Sequence, residues 1–186
     1  KEYRARVSPR FRFNDKIAVK YVLSLRNRYN ELGYIDDLII TNQQNTQPIF
    51  SLRNTFMITN VFSGSYIINN KIDFSFKLRY HTDQVDNLNF NKLDNDGYLI
   101  QTSVDNNNSS DFNINYSTWT PDVGLNWWFA PGSQLSLVWK NGVDNENNNI
   151  QNSWFNNIEE SFDLPQQNSV SLKVVYYLDY LYLKKG

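Results

Sequence analysis

Cysteine is absent from the 186 residues, methionine occurs once, and alanine is confined to Ala5, Ala18 and Ala130. Without cysteine there is no disulfide framework and no thiolate metal site, and redox chemistry gives no hint of the compartment. Scarce alanine and a negative mean hydropathy argue against a helix-rich chain. No apolar run approaches the about 18 residues of a transmembrane helix. A basic start followed by an apolar stretch, the mark of a signal peptide, is also missing, so the chain reads as mature, truncated or part of something larger. The net charge of −1 gives no general case for nucleic-acid binding. The length suits one domain, taken as residues 1–186.

What the chain has is aromatic residues, 16% of the total, set in strict alternation. From Tyr3 to Phe13 the odd positions read Tyr3, Ala5, Val7, Pro9, Phe11 and Phe13, and the even ones Arg4, Arg6, Ser8, Arg10 and Arg12. After a turn at 14–16 the pattern resumes as Ile17, Val19, Tyr21, Leu23 and Leu25 against Lys20, Ser24, Arg26 and Arg28. Similar runs precede and follow turns at 69–71 and 130–133, and a last one covers Val170 to Tyr180. Period-two alternation bounded by turn residues is the signature of half-buried strands. Seven long strands are predicted.

Tight turns at 14–16, 69–71 and 130–133 alternate with long Asn-rich segments at about 29–52, 84–117 and 142–166. Short and long connections in alternation, joining strands at least as long as the about 9–11 tilted residues needed to cross a bilayer, fit an all-β, antiparallel transmembrane β-barrel of the Gram-negative outer membrane. Within the long segments, 38–40 and 88–100 are expected to extend hairpins beyond the membrane, with Asp96-Gly97 as a turn.

The polar parity of the strands is basic, and acidic residues are expected mainly in loops. A lipid-facing Arg costs about 2–4 kcal/mol at the midplane, so Arg4, Arg6, Arg10, Arg12, Arg26, Arg28, Lys77, Arg79, Lys140 and Lys173 should line a lumen. The opposite parity should meet lipid, with Trp119, Trp127, Trp139, Tyr176 and Tyr180 as interfacial aromatics. A soluble barrel has the same alternation with its faces inverted; strand length and loop asymmetry favour lipid outside. Pro9 and Pro121 cannot donate to a ladder; Pro121 is expected near an outer strand end, Pro9 at a bulge or on an unpartnered first strand. An odd strand count with the last strand ending in the periplasm suggests the C-terminal part of a larger barrel.

Residues 53–81 (RNTFMITNVFSGSYIINNKIDFSFKLRYH), 128–141 (WFAPGSQLSLVWKN) and 168–180 (NSVSLKVVYYLDY) resemble the C-terminal region of a Bacteroidota outer-membrane family catalogued as domain of unknown function 5916. The resemblance covers essentially the whole chain and implies a large barrel that follows, in full-length members, a module similar to family 9 carbohydrate-binding modules. That module has no counterpart here, so no sugar-binding role passes to any residue. No activity or cofactor is implied.

No catalytic constellation stands out, and an enzyme is not expected. The lone histidine, His81, lies on the polar parity between Arg79 and Asp83 at the expected outer rim; His81 and Asp83 resemble half of an omptin-type protease mouth, for which Asp36 and Asp37 would have to supply the other half, and a rim hydrolase of this kind is the enzyme alternative. Asp94-Asn95-Asp96-Gly97 lacks the spacing of a calcium loop and reads as a turn. Asn106–Asn108 and Asn147–Asn149 read as solvated tips, and Trp154-Phe155 as a loop that packs on itself. Lys77, Arg79, Lys140 and Lys173 are placed to meet Asp73, Asp122 and Asp179, so the basic residues are expected to form an ion-pair network or a docking wall for a plug or partner chain, or else an anion-favouring pore. Expected partners are outer-membrane lipid and further strands of the same protein, a partner chain or a plug, with no nucleic acid.

Overall fold

A computed structural model describes residues 1–39, 46–104, 107–150 and 154–178. The chain forms one antiparallel sheet. Its strands are β1 (Glu2–Val7), β2 (Arg10–Arg12), β3 (Ile17–Ile39), β4 (Thr46–Asn69), β5 (Ile72–Asn87), β6 (Phe90–Leu93), β7 (Leu99–Thr102), β8 (Ile114–Ala130), β9 (Ser133–Asn147) and β10 (Gln167–Val175); the described residues also hold one α-helix, α1 (Trp154–Phe162), and a short 3-10 helix at Ser109–Phe112. The order across the sheet is β1-β3-β4-β5-β8-β9-β10, with β2 continuing β1 along β3, and β6 and β7 forming a small hairpin at the far end of β4. With β1 and β2 counted as one, the seven long strands of the alternation are all present. Among the described residues the sheet does not close: β1 and β10 each pair on one side only.

Local chemistry makes the tight turns. The Asn14 side chain accepts from the backbone N–H of Lys16 and Ile17, and Asn69 does the same for Lys71, each at 2.8 Å. Pro131-Gly132 turns β8 into β9 with Gly132 at φ +70°, the pairing of a fixed proline φ and a positive glycine φ that such a turn requires. The predicted turn at Asp96-Gly97 is also present, with Asp94 accepting from the N–H groups of Asp96 and Tyr98.

Three expectations need correction. Much of the three long segments is strand: β3 runs to Ile39, β4 starts at Thr46, β5 runs to Asn87, β8 starts at Ile114 and β9 runs to Asn147. Both faces are polar or mixed there, so alternation loses its contrast although the ladder continues. Acidic residues are correspondingly less confined to loops, since Glu2, Glu31, Asp83, Asp122, Asp144 and Glu146 all lie in strands. The Trp154-Phe155 loop is the start of α1, which packs on β8 and β9; the 155, 158 and 162 spacing is helical, but the asparagines around it disguise it.

The prolines also differ from expectation. Pro121 lies inside β8, seven residues beyond Ile114, where the β8–β9 ladder lapses between the Trp119↔Val143 and Asp122↔Lys140 pairs without a change of register. Pro9 separates β1 from β2 without a bulge: Val7↔Leu23 and Arg10↔Lys20 belong to one continuous register.

Candidate functional site: a basic wall opposite an uncovered apolar band

Directly paired residues of an antiparallel ladder point to the same face, so the register assigns every side chain to a side. One row reads Arg6, Ser24, Thr59, His81, Thr118, Asp144; the next reads Arg4, Arg26, Met57, Asp83, Tyr116, Glu146. A third reads Lys20, Ser63, Lys77, Asp122, Lys140, Ser169. All ten predicted lumen residues, Arg4, Arg6, Arg10, Arg12, Arg26, Arg28, Lys77, Arg79, Lys140 and Lys173, share this polar face.

The other face carries rows such as Val19, Gly64, Phe76, Val123, Trp139, Val170 and Ile17, Tyr66, Phe74, Leu125, Leu137, Leu172. This apolar band is uncovered: Phe62, Leu137 and Leu172 keep 41%, 38% and 64% of their surface exposed. Buried apolar residues among those described are Ile49, Tyr80, Phe90, Val104 and Val143. Ile49, Phe90 and Val104 form a small core with Phe112 at the end away from the tight turns.

The band has a sharp far edge. One row past Leu23, Asn60, Tyr80, Trp119 and Val143, the same face reads Leu25, Ile58, Thr82, Ser117, Asn145, and then Asn27, Phe56, Gln84, Asn115, Asn147. The Gln84 amide donates to Asn115 and the Asn115 amide to Asn147, at 3.1 and 3.2 Å. Asn145 also donates to Glu160 of α1 at 3.4 Å, so the helix lies beside this polar end of β8 and β9.

Of the predicted interfacial aromatics, Trp119 and Trp127 stand at opposite ends of the band, paired with Tyr80 and Ile72. Trp139 stands between them, at the level of Val123. Tyr176 stacks on Phe129 with ring centroids 6.3 Å apart; Tyr180 and Asp179 lie outside the described residues.

Charge on the polar face is unevenly spread, with Arg4, Arg6, Arg10, Arg12, Lys20, Arg26 and Arg28 on β1 to β3 and Asp122, Asp144 and Glu146 on β8 and β9. A single carboxylate, Glu2, accepts from Arg4 and Arg26 and lies 3.8 Å from Arg28, which also bonds Glu31 at 2.7 Å. The Arg4 hydrogen bond, opposed by burial, holds Glu2 below its ordinary range. Arg12 reaches Asp15 at 3.4 Å; among the described residues Arg6 and Arg10 have no ion pair. A groove of about 450 Å³ opens between Arg4, Arg6, Arg26, Met57 and Thr59, and another of about 310 Å³ beside Arg10, Lys20 and Ser63. No single position marks Glu2 as the clamp, because its role depends on Arg26 and Arg28, which reach it through the β1–β3 register.

His81 is on this wall, its Nδ1 2.8 Å from the Thr59 hydroxyl. β5 continues six residues beyond His81 to Asn87. Burial holds the neighbouring Asp83 carboxyl above its ordinary range, against the pull of His81, Arg28 and Arg53. Burial and a hydrogen bond to Asp144 at 2.9 Å raise Tyr116. Asp36 and Asp37 belong to the far end of β3, where they pair with Ile49 and Pro48, whereas the His81 row meets β3 at Ser24. The fold therefore does not assemble a paired Asp and Asp-His mouth. No cluster of three or more metal-type ligands occurs among the described residues.

A family model described as Domain of unknown function (DUF5916) matches residues 1–186. No curated protein and no solved structure matches the chain.

Proposed function

From a chain that belongs to the DUF5916 family, we propose that the sheet is one sector of a transmembrane β-barrel in a bacterial outer membrane, its basic face lining the lumen and its role one of docking a partner or supporting transport. The observation that carries this reading is the apolar face, continuous across seven strands and left uncovered by the described residues. A soluble sandwich or barrel would bury that face. Each strand crosses the band in about nine residues, or about 27–30 Å at about 3.3 Å per residue. Barrel strands tilted by about 35–45° turn that into roughly 19–25 Å of height, close to the apolar band of about 25 Å in outer-membrane barrels.

Charge distribution supports the assignment of sides. Arginine and lysine on the apolar face would each meet hydrocarbon, and that face carries none of the ten basic residues named above. Docking is favoured over conduction because the basic residues crowd two neighbouring strands and present planar forks suited to carboxylates. The test uses spin labels on the full-length protein in lipid vesicles, placed singly at Leu137 and Ser136, adjacent residues on opposite faces. Leu137 should be reached by dissolved oxygen and shielded from a water-soluble nickel chelate, and Ser136 the reverse. Chelate access at Leu137 sinks the membrane reading.

A further inference from the structure

The β1–β2 edge of the sheet has an unusual polarity of donors and charges. Tyr21 donates to the carbonyl of Pro9 at 3.1 Å, Tyr29 to that of Lys1 at 2.8 Å, and Phe13 donates to Ile17 at 3.1 Å. Odd residues of this strand therefore turn their backbone groups inward, toward β3. In an antiparallel ladder the alternate residues turn theirs the other way. Glu2, Arg4, Arg6, Ser8, Arg10 and Arg12 thus aim N–H and C=O at the open edge.

Pro9 belongs to the inward set. Its missing N–H weakens the β1–β3 ladder at Tyr21 and leaves the outer row of donors complete. A proline that protected this edge against pairing would need to stand at an even position. The edge is therefore fit to accept another strand. The residues that would hydrogen-bond to it are also the ones whose side chains stand on the polar face.

We propose that this edge is an interaction surface for an incoming antiparallel strand, supplied from outside these 186 residues, that carries Asp or Glu at alternate positions facing the lumen. The proposal rests on the barrel reading and names the partner of its basic wall. Same-face residues two apart on a strand are about 6.7 Å apart, so acids at every second position of a partner match Arg4 and Arg6, then Arg10 and Arg12. Opposite charges directly across a ladder stabilise it, and like charges oppose it. Glu2 already illustrates the chemistry within the chain, one strand carboxylate held by Arg4 and Arg26, while Arg6 and Arg10 remain without a carboxylate among the described residues.

The other free edge is a poor occupant, whether from the same copy or a second one. On the polar face β10 offers Gln167, Ser169, Ser171 and Lys173, with no acid among them. β1 and β10 also run the same way: each starts at the end away from the tight turns, β1 beside Arg28 and β10 beside Gly142. Joining them would make a parallel pair in an otherwise antiparallel sheet.

The test is photocrosslinking in the full-length protein in its membrane, with p-benzoylphenylalanine replacing Ser8, followed by mass spectrometry of the joined peptide. The expected product is a peptide with acidic residues at alternate positions. Its yield should fall about tenfold when Arg6→Glu and Arg10→Glu place like charges in the ladder, and should survive Arg6→Lys and Arg10→Lys. A heat-modifiable band on gels selects the variants that fold. A crosslink to β10, to a strand without alternating acids, or to lipid overturns the proposal, as does a yield indifferent to charge reversal. Each of these leaves the membrane reading intact, since that is decided separately by the label at Leu137.

Discussion

Gly64 stands opposite Phe76 in the β4–β5 ladder, and the ring lies over the glycine: a Cβ added to Gly64 would sit 2.6 Å from Phe76 Cε1 and 3.2 Å from the Ala18 carbonyl oxygen. The vacant Cβ position makes room for an aromatic ring in the middle of the band, where Phe76 also meets Phe62 at 5.2 Å between centroids. Gly64→Leu should therefore destabilise by about 1–3 kcal/mol through overpacking. Urea unfolding of the full-length protein from vesicles reads it. Shortening the ring as well, in Gly64→Ala with Phe76→Leu, should recover much of the loss, and an equal loss in both variants would mean that the contact does not matter.

Asp83 gives a pH dependence whose sign can be worked out. Its carboxyl is held above the ordinary value of 3.8, chiefly by burial, so the folded state keeps this proton to higher pH than the unfolded state. Stability is then lost as pH rises from the unfolded value through the folded one. Asp83→Asn should match the wild type near pH 3 and melt at a higher temperature at pH 7. A variant less stable than wild type at pH 7 would show that the charged carboxylate is wanted where it stands.

Ion flow separates a lined conduit from a docking wall. Were Arg4, Arg6, Arg10, Arg12, Arg26 and Arg28 relieved only by water and mobile anions, the intact protein would show large, steady, anion-selective, salt-sensitive channels. With acidic groups set against them, bilayer recordings should give near-zero conductance, and Arg6→Ser with Arg10→Ser should loosen the partner more than it changes current. Steady anion currents from the wild type would refute the docking reading.

The open sheet makes a prediction for the 186 residues alone. With β1 and β10 running the same way and neither edge paired among the described residues, the 186 residues refolded by themselves in detergent should not yield a heat-modifiable, protease-resistant barrel. A stable monomer with that behaviour would mean that the edges find each other after all.

Which residues share a face was legible in the sequence because side chains alternate along any strand, a local property that needs no partner. The turns were legible for the same reason, since Asn14, Asn69 and Pro131-Gly132 act within a few residues. Seven long strands and the ten basic residues of one face followed. Where the strands ended was not legible: past Leu25 and Tyr80 both faces become polar or mixed and the contrast fades, while backbone hydrogen bonds, which do not depend on side-chain polarity, carry the ladder to Ile39 and Asn87. Nor could the sequence show that Glu2 holds Arg26, that His81 meets Thr59, or that Pro9 spends its missing N–H on the inner side of β1. Those depend on register, set by which strand lies beside which, and only the assembled sheet decides that.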